Sequence, residues 1–325
     1  MGGDLGGSRV LVTGGKGFLG QHVVRTLGRR GATVLAPRRA AIDLSDVRSA
    51  ARALADLRPD FLIHCAATGG GIGFMRANPG TSCTDNVLVN TTAIEAARIA
   101  GVRRYIGVSS ACAYPGRVTQ PMREETIGDG DPEPTNAAYG HAKRLMLVQG
   151  EGYAHQYGLD CAFAVPTNLY GPGDDYDERS SHVVAALIRR FEAARIANDP
   201  VVTVWGTGRA TRDLLYVGDA AEGIVQLLET GAGVDGDSPT SGAGSWGRAF
   251  NLGSGRETTV REIAESVATA VGYRGALRWD IEKPDGMPRK CLDSGRMEAR
   301  TGWRAQTSLA DGLAAAVADY RERQG

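Results

Sequence analysis

Tyr139 and Lys143 stand four residues apart in the segment Tyr139-Gly140-His141-Ala142-Lys143. On a helix, that spacing puts both side chains on one face, one turn apart. A phenol with a reference pKa of about 10 is a poor acid–base catalyst near neutrality. A neighbouring ammonium favours the phenolate and is expected to lower that value. Upstream, Ser109-Ser110-Ala111-Cys112 sets a hydroxyl directly after the short apolar run 105–108. Such a group of side chains suits proton transfer to and from an oxygen of a bound substrate. A lone Tyr-x-x-x-Lys is common by chance, and its weight here comes from what precedes it.

A second pattern supplies that context. Thr13-Gly14-Gly15-Lys16-Gly17-Phe18-Leu19-Gly20 follows an apolar run at 9–13 and has the spacing G-x-x-G-x-x-G. A tight turn, close approach of backbone to a pyrophosphate and close helix–strand packing each require a residue without Cβ. A helix beginning there offers free N–H groups and a partial positive charge to phosphate. Glycines alone are weak evidence in a chain with 45 of them, but a strand before and a helix after is the required setting. The second strand separates the two nicotinamide dinucleotides, since an acid at its end suits a ribose hydroxyl and cations suit a 2′-phosphate. Here it ends in Pro37-Arg38-Arg39, with no acid before Asp43, and Lys16 adds a cation. The expected cofactor is NADP(H), held by Gly14, Lys16, Gly17, Phe18, Leu19, Gly20, Arg38, Arg39 and Asp43.

These groups need a scaffold. Strands are expected at 9–13, 33–36, 61–65, 105–108 and 159–165, with helices at 21–30, 47–57, 90–100 and 139–157. Strands alternating with helices of ten or more residues indicate right-handed βαβ units and a parallel sheet covered on both faces. The fold class is therefore α/β, a Rossmann-type doubly wound parallel sheet with a smaller C-terminal α/β substrate-binding lobe. The boundary is placed near residue 175, with the chain returning to the first domain around 210–255. Beyond it, a helix is expected at 183–195, a strand at 201–205, a Gly/Ser-rich loop at 231–247 and a helix at 258–271.

Composition narrows the function. The 325 residues carry 37 basic and 37 acidic side chains, so no net charge draws the chain to nucleic acid or an anionic membrane. Aromatics at 6% give no base-stacking surface. No apolar run is long enough to span a bilayer, and residues 1–7 lack the pattern of a secretory signal. Cys65, Cys83, Cys112, Cys161 and Cys291 are scattered and odd in number, which fits reduced thiols in the cytoplasm without zinc or disulfides.

Several further stretches resemble the extended short-chain dehydrogenase/reductases, and within them the branch that epimerises and reduces GDP-4-keto-6-deoxy-D-mannose. They are Ser110-Ala111-Cys112-Ala113-Tyr114-Pro115, Gln120-Pro121-Met122, Glu133-Pro134-Thr135-Asn136, Tyr139 to Lys143, and Pro166-Thr167-Asn168-Leu169-Tyr170-Gly171-Pro172. Ser181-His182-Val183, Arg189-Arg190-Phe191, Trp205-Gly206 and Lys283-Pro284-Asp285-Gly286-Met287-Pro288-Arg289-Lys290 extend the likeness over nearly the whole chain. The resemblance implies a reductase triad of Ser110, Tyr139 and Lys143, with Cys112 and His182 as acid and base of epimerisation at C3 and C5. It implies that Asn168, Arg190, Trp205, Arg212, Asp285 and Lys290 bind the sugar nucleotide. Ala66, Ala67, Pro166, Asn168 and Leu169 join Tyr139 and Lys143 beside the cofactor. A homodimer through the helix of Tyr139 and Lys143 rests on the resemblance alone, as does the guanine base. Departures are Val217-Gly218-Asp219, where two acids are usual, Lys16 for an arginine, and an altered stretch 68–79.

Plainer readings stand beside these. Cys112 can be a small buried apolar residue, His182 a helix cap, Arg189 and Arg190 a solvated face, Trp205 core, and the Lys-Pro-Asp-Gly segment a surface turn. His64 reads as a satisfied core residue, and His22, His141 and His155 as helix-face residues without a role. A C4 reductase or epimerase of another nucleotide sugar, without inversion at C3 and C5, is the alternative enzyme. A non-catalytic NADP-binding protein is the alternative outside enzymes.

Overall fold

The computed structural model describes residues 5–178, 180–231, 246–283 and 285–324. The chain opens with β1 (Arg9–Thr13), α1 (Phe18–Arg29), β2 (Thr33–Leu35), α2 (Val47–Leu57) and β3 (Phe61–His64). There follow α3 (Ile72–Ala77), α4 (Pro79–Ile99), β4 (Arg104–Val108), α5 (Ala137–Tyr157), β5 (Cys161–Pro166) and β6 (Asn168–Tyr170). Next come α6 (Val183–Ala197), β7 (Val201–Trp205), β8 (Thr211–Tyr216), α7 (Val217–Thr230), β9 (Ala249–Leu252) and β10 (Glu257–Thr259). The chain ends with α8 (Val260–Val271), β11 (Ala276–Asp280), α9 (Gly295–Thr301) and α10 (Leu309–Gln324). The glycine- and serine-rich loop expected at 231–247 falls mostly at 232–245, outside the described residues.

Six strands form one parallel sheet in the order β2-β1-β3-β4-β5-β9. Alternate side chains of each strand serve opposite faces. Val10, Val12, Ile63, Ile106 and Ala164 pack with Val23 and Leu27 of α1 and Ile224 and Leu228 of α7. Leu11, Leu62, Tyr105 and Phe163 pack with Leu54 of α2, Ile94 of α4 and Met146 of α5. The chain runs from β1 outward to β2 and then crosses to β3 on the other side of β1. That reversal opens a crevice at the carboxyl ends of β1 and β3, where a ligand fits in this architecture.

The second layer is smaller. β10, β8 and β6 form a three-stranded sheet, and β11 pairs with β7 in parallel. Phe191 of α6, Val204 of β7, Ile263 and Val267 of α8, and Leu313 and Val317 of α10 make its core. Among the described residues, no helix is long and apolar enough to cross a membrane.

Four helix starts differ from expectation, one of them that of α5, which begins at Ala137 rather than 139. α1 begins at Phe18, with Gly17 as its N-cap. α4 begins at Pro79, eleven residues before the expected 90, with proline in the first turn where its missing N–H costs nothing. Its buried face includes Ser82, Asn86, Asn90 and Thr92, so apolar periodicity does not mark it. Thr258 belongs to β10, and α8 starts after Thr259, whose side chain forms a capping box with Glu262.

Candidate active site

The glycine loop leaves β1 and turns against the end of β3. Gly14 has φ +70°, and a Cβ there would lie 2.6 Å from the Ala66 backbone nitrogen, so only glycine fits both conformation and space. Gly17 donates its N–H to the Gly14 carbonyl at 2.9 Å. No side chain caps α1 and no acid occupies its first turn, which leaves N–H groups for an anion. Beyond the end of β2, Arg38 and Arg39 are exposed, as is Lys16 in the loop. Among the described residues, Lys16 and Arg38 enter no ion pair. Asp43 is occupied locally: it accepts hydrogen bonds from the Ser45 backbone N–H at 2.9 Å and hydroxyl at 2.6 Å. Those bonds, and then Arg39, hold its carboxyl below the usual range. Asn168, opening β6, donates to the Asp213 carbonyl at 3.0 Å.

β4 delivers the serine and the thiol. Ser110 opens a short 3₁₀ turn, Ala111–Ala113, and its hydroxyl accepts the Cys112 N–H at 3.2 Å. α5 presses on this turn from above. A Cβ on Gly140 would collide with the Cys112 carbonyl, and Arg144 donates to the Ala113 carbonyl at 2.7 and 3.1 Å. The start of α5 therefore sets Tyr139 against Ser110. Burial foremost pushes the Tyr139 phenol above its ordinary pKa, Cys112 adds to this, and a hydrogen bond with Ser110 opposes it. This overturns the expected lowering by Lys143, and the reason is geometric. Lys143 Nζ donates to the Val108 carbonyl at 3.0 Å and lies 5.6 Å from the Tyr139 ring centroid. Lys143 is only 2% exposed, and burial pulls its pKa down to about 8.

Cys112 has two polar neighbours that sequence spacing could not assign. Asn136 Nδ2 donates to its Sγ at 3.2 Å, and Lys290 Nζ lies 3.8 Å away. His182 is the N-cap residue of α6, and its side chain makes no cap bond. The imidazole reaches solvent, yet the protein packed around it lowers its pKa, Lys290 lowers it further, and Asp175 opposes. Lys290 is thus the cation shared by thiol and imidazole. The loop at 69–71 closes this side, with the Gly71 N–H donating to the Ser180 carbonyl at 2.6 Å.

Lys290 is delivered by an extended strip along β8. The Pro288 carbonyl accepts from Thr211 N–H at 2.9 Å and the Lys290 carbonyl from Asp213 N–H at 2.8 Å. Arg212 fixes the strip by donating to the Met287 carbonyl at 2.7 Å and the Asp285 carbonyl at 3.2 Å. The Asp285 carboxylate accepts from Thr207 N–H at 2.6 Å and Oγ1 at 2.7 Å. Arg212 and Asp285 therefore hold the segment that bears Lys290, and that segment is no ordinary surface turn; Pro284 lies outside the described residues. Asp213 is fully buried and accepts Ser254 N–H at 2.9 Å, Ser254 Oγ at 2.6 Å and Leu292 N–H at 3.3 Å. Arg190 donates to the Thr203 carbonyl at 2.7 Å. Trp205 ends β7 with 59% of its surface exposed and Lys283 Nζ 5.8 Å from its ring, so it is not core.

His64 is fully buried between Thr13 Oγ1 at 2.7 Å and Asn90 Oδ1 at 3.1 Å. Burial first, then Lys143, drives its pKa down to about 3, which makes it the satisfied core residue expected. His141 and His155 are exposed on α5. His22 departs from its expected place on an idle helix face: it is buried and bonds the Pro172 carbonyl at 2.7 Å. Asp219 accepts the N–H groups of Gln306 at 3.0 Å and Thr307 at 2.8 Å, so it anchors the approach to α10.

The family model described as "NAD dependent epimerase/dehydratase family" matches residues 10–253. The chain belongs to that family. It is 36% identical to a protein named GDP-L-fucose synthase 1 from Arabidopsis thaliana, over 94% of this chain and 91% of that one. It is equally 36% identical to GDP-L-fucose synthase from Escherichia coli (strain K12), over 97% of both. A solved GDP-L-fucose synthetase from Naegleria fowleri bound to NADP superposes with a TM-score of 0.83 at 24% identity, covering 98% of this chain and 95% of that one.

Proposed function

We propose that this family member is an NADPH-dependent 3,5-epimerase/4-reductase of GDP-4-keto-6-deoxy-D-mannose or a close relative, forming GDP-L-fucose or its counterpart. The observation that carries the reading is Cys112 and His182 placed around one cation, Lys290, beside the Ser110–Tyr139 hydrogen bond. A simple C4 reductase has no use for that second constellation. The names of the Arabidopsis and Escherichia relatives support the substrate class.

The residues present fit a dinucleotide. The Gly14 approach to Ala66 leaves backbone where a pyrophosphate can come close, the uncapped start of α1 offers its N–H groups, and Lys16, Arg38 and Arg39 suit a 2′-phosphate. When bound, the reduced nicotinamide supplies hydride to C4. The chain's own residues do the rest. Protons at C3 and C5 of a 4-keto sugar are acidic because the electron pair left behind moves into the carbonyl. The Cys112 thiolate, beside Lys290, removes such a proton, and protonated His182 returns one to the other face. Ser110 and Tyr139 hydrogen-bond the C4 oxygen and stabilise the enolate. At reduction Tyr139 gives its proton to that oxygen. Lys143 approaches the Tyr139 ring and orients the cofactor ribose.

We further read the enzyme as a cytoplasmic homodimer. Its five cysteines are all unpaired. Leu88 and Ile99 of α4 and Leu145 and Val148 of α5 are exposed on adjoining helices, an apolar surface suited to a second copy. The function is tested by turning over GDP-4-keto-6-deoxy-D-mannose with NADPH in D₂O and locating deuterium by NMR. Wild type should label C3 and C5, and Cys112→Ser should oxidise NADPH without labelling. Unlabelled wild-type product would replace the reading with simple C4 reduction.

A further inference from the structure

Asn136 is the N-cap residue of α5, one turn before Tyr139, yet its side chain makes no cap hydrogen bond. Asparagine is among the best capping residues, because its carbonyl accepts an orphan N–H of the first turn. Here Nδ2 is instead directed at Cys112 Sγ, at 3.2 Å. Oδ1 is buried and finds no partner among the described residues. A thiolate can only accept, so the amide nitrogen is the atom that must face it. Asn136 thus forgoes its cap and leaves an acceptor unpaired while it serves the thiol. Buried polar atoms normally find partners, so an orphan beside a reactive group points to a ligand that supplies one.

We propose that Asn136 is a positioning residue for the Cys112 thiolate, with Oδ1 accepting a hydroxyl of the keto sugar whose carbon is being epimerised. The proposal rests on the reading of Cys112 as the base. In the step it serves, the C–H bond breaks, the S–H bond forms and the electron pair passes into the enolate. Before the step, the charged sulfur is held between the Asn136 N–H and the Lys290 ammonium, 3.2 and 3.8 Å away. Charge-assisted hydrogen bonds are short and directional, so two of them fix where the base points. The same amide then spans thiolate and substrate and ties the sugar's position to the base.

The test is Asn136→Asp, with Asn136→Ala beside it. Aspartate has the same size and caps a helix as well as asparagine, so a structural role predicts near-normal behaviour. The proposed role predicts loss, because a carboxylate replaces the donor and repels the thiolate. Iodoacetamide alkylation of Cys112 in the free enzyme at pH 7, read as the difference from Cys112→Ser, should slow by about tenfold in Asn136→Asp. Deuterium exchange at C3 and C5 should fall at least as far, while NADPH oxidation by the same variant falls less. Asn136→Ala should raise KM for the keto sugar by about tenfold through loss of the acceptor. Alkylation of Asn136→Asp at the wild-type rate overturns the positioning role, and an unchanged KM in Asn136→Ala overturns the sugar contact. The alkylation needs no sugar. A wild type that exchanges no deuterium therefore refutes the epimerase reading while the Asn136–Cys112 pairing is still decided.

Discussion

Lys290→Met removes the cation between thiol and imidazole and keeps an unbranched side chain only one atom shorter. At 3.8 Å from Sγ, a unit charge is worth about 1 kcal/mol in a water-like medium and about 4 kcal/mol at the effective dielectric of a protein surface. Lys290 is half-buried, so a value near 2 kcal/mol is apt for its hold on charge developing at the sulfur, or about 30-fold in the rate of exchange. His182 responds to the same change. Lys290 helps hold its pKa down, so without Lys290 the imidazolium persists to higher pH. The proton donor therefore survives to higher pH, and the alkaline limb of the exchange profile moves up with it. The assay is deuterium incorporation at C3 and C5 across pH 5.5 to 9, followed by NMR, with NADPH oxidation measured in parallel. The predicted result is exchange lowered by about 30-fold at pH 7, an optimum displaced upward, and a smaller effect on hydride transfer. Exchange within about twofold of wild type, with an unmoved profile, would refute the assignment of Lys290.

Tyr139→Phe should cut NADPH oxidation by at least about 100-fold, the usual worth of a positioned acid, with cofactor affinity retained; normal turnover refutes the role. Replacing Arg38 and Arg39 together by glutamine should raise KM for NADPH far more than KM for NADH, and equal effects would remove them from the 2′-phosphate site. Lys143 has a pKa near 8, lowered by burial, so its charge is present below that value and lost above it. The kcat/KM for reduction should therefore fall as pH rises through about 8, a limb that Lys143→Met should lack. The same shift predicts, for the free protein, that this residue's contribution to stability grows between about pH 8 and 10.5, where the unfolded chain holds more protons. Asp213→Asn weakens the hold on Leu292 N–H and Ser254 beside the Lys290 strip, and should lower deuterium exchange more than NADPH oxidation; equal losses would mean general destabilisation.

Local chemistry was legible and long-range delivery was not. The glycine loop, the helical Tyr139–Lys143 spacing and the short apolar runs that form strands of the parallel sheet are encoded within short windows, and α2 and β7 fall on their expected bounds. β6, β8, β9, β10 and β11 carry polar residues among or in place of apolar ones, so no unbroken apolar run announces them. The Asn136–Cys112–Lys290 arrangement joins residues up to 178 positions apart and depends on a strip held by Arg212 and Asp285. A signal for Asn136 did exist: an asparagine directly before a helix that bears a Tyr-x-x-x-Lys pair. The buried side of α10, at Leu313, Ala316, Val317 and Tyr320, likewise has helical spacing in plain view. The pKa of Tyr139 was misjudged because sequence spacing places Lys143 on the same face but not where its ammonium points.

The two chemistries draw on different parts of the chain. Ser110, Tyr139 and Lys143 come from the end of β4 and the start of α5, elements that pack on each other within the large sheet and its helices. The epimerisation proposed above draws also on His182, at the start of α6, and on Lys290, on a strip bonded to β8, and both elements belong to the smaller layer. Cys112 stands at the junction, borne by the large sheet and tuned from the small one.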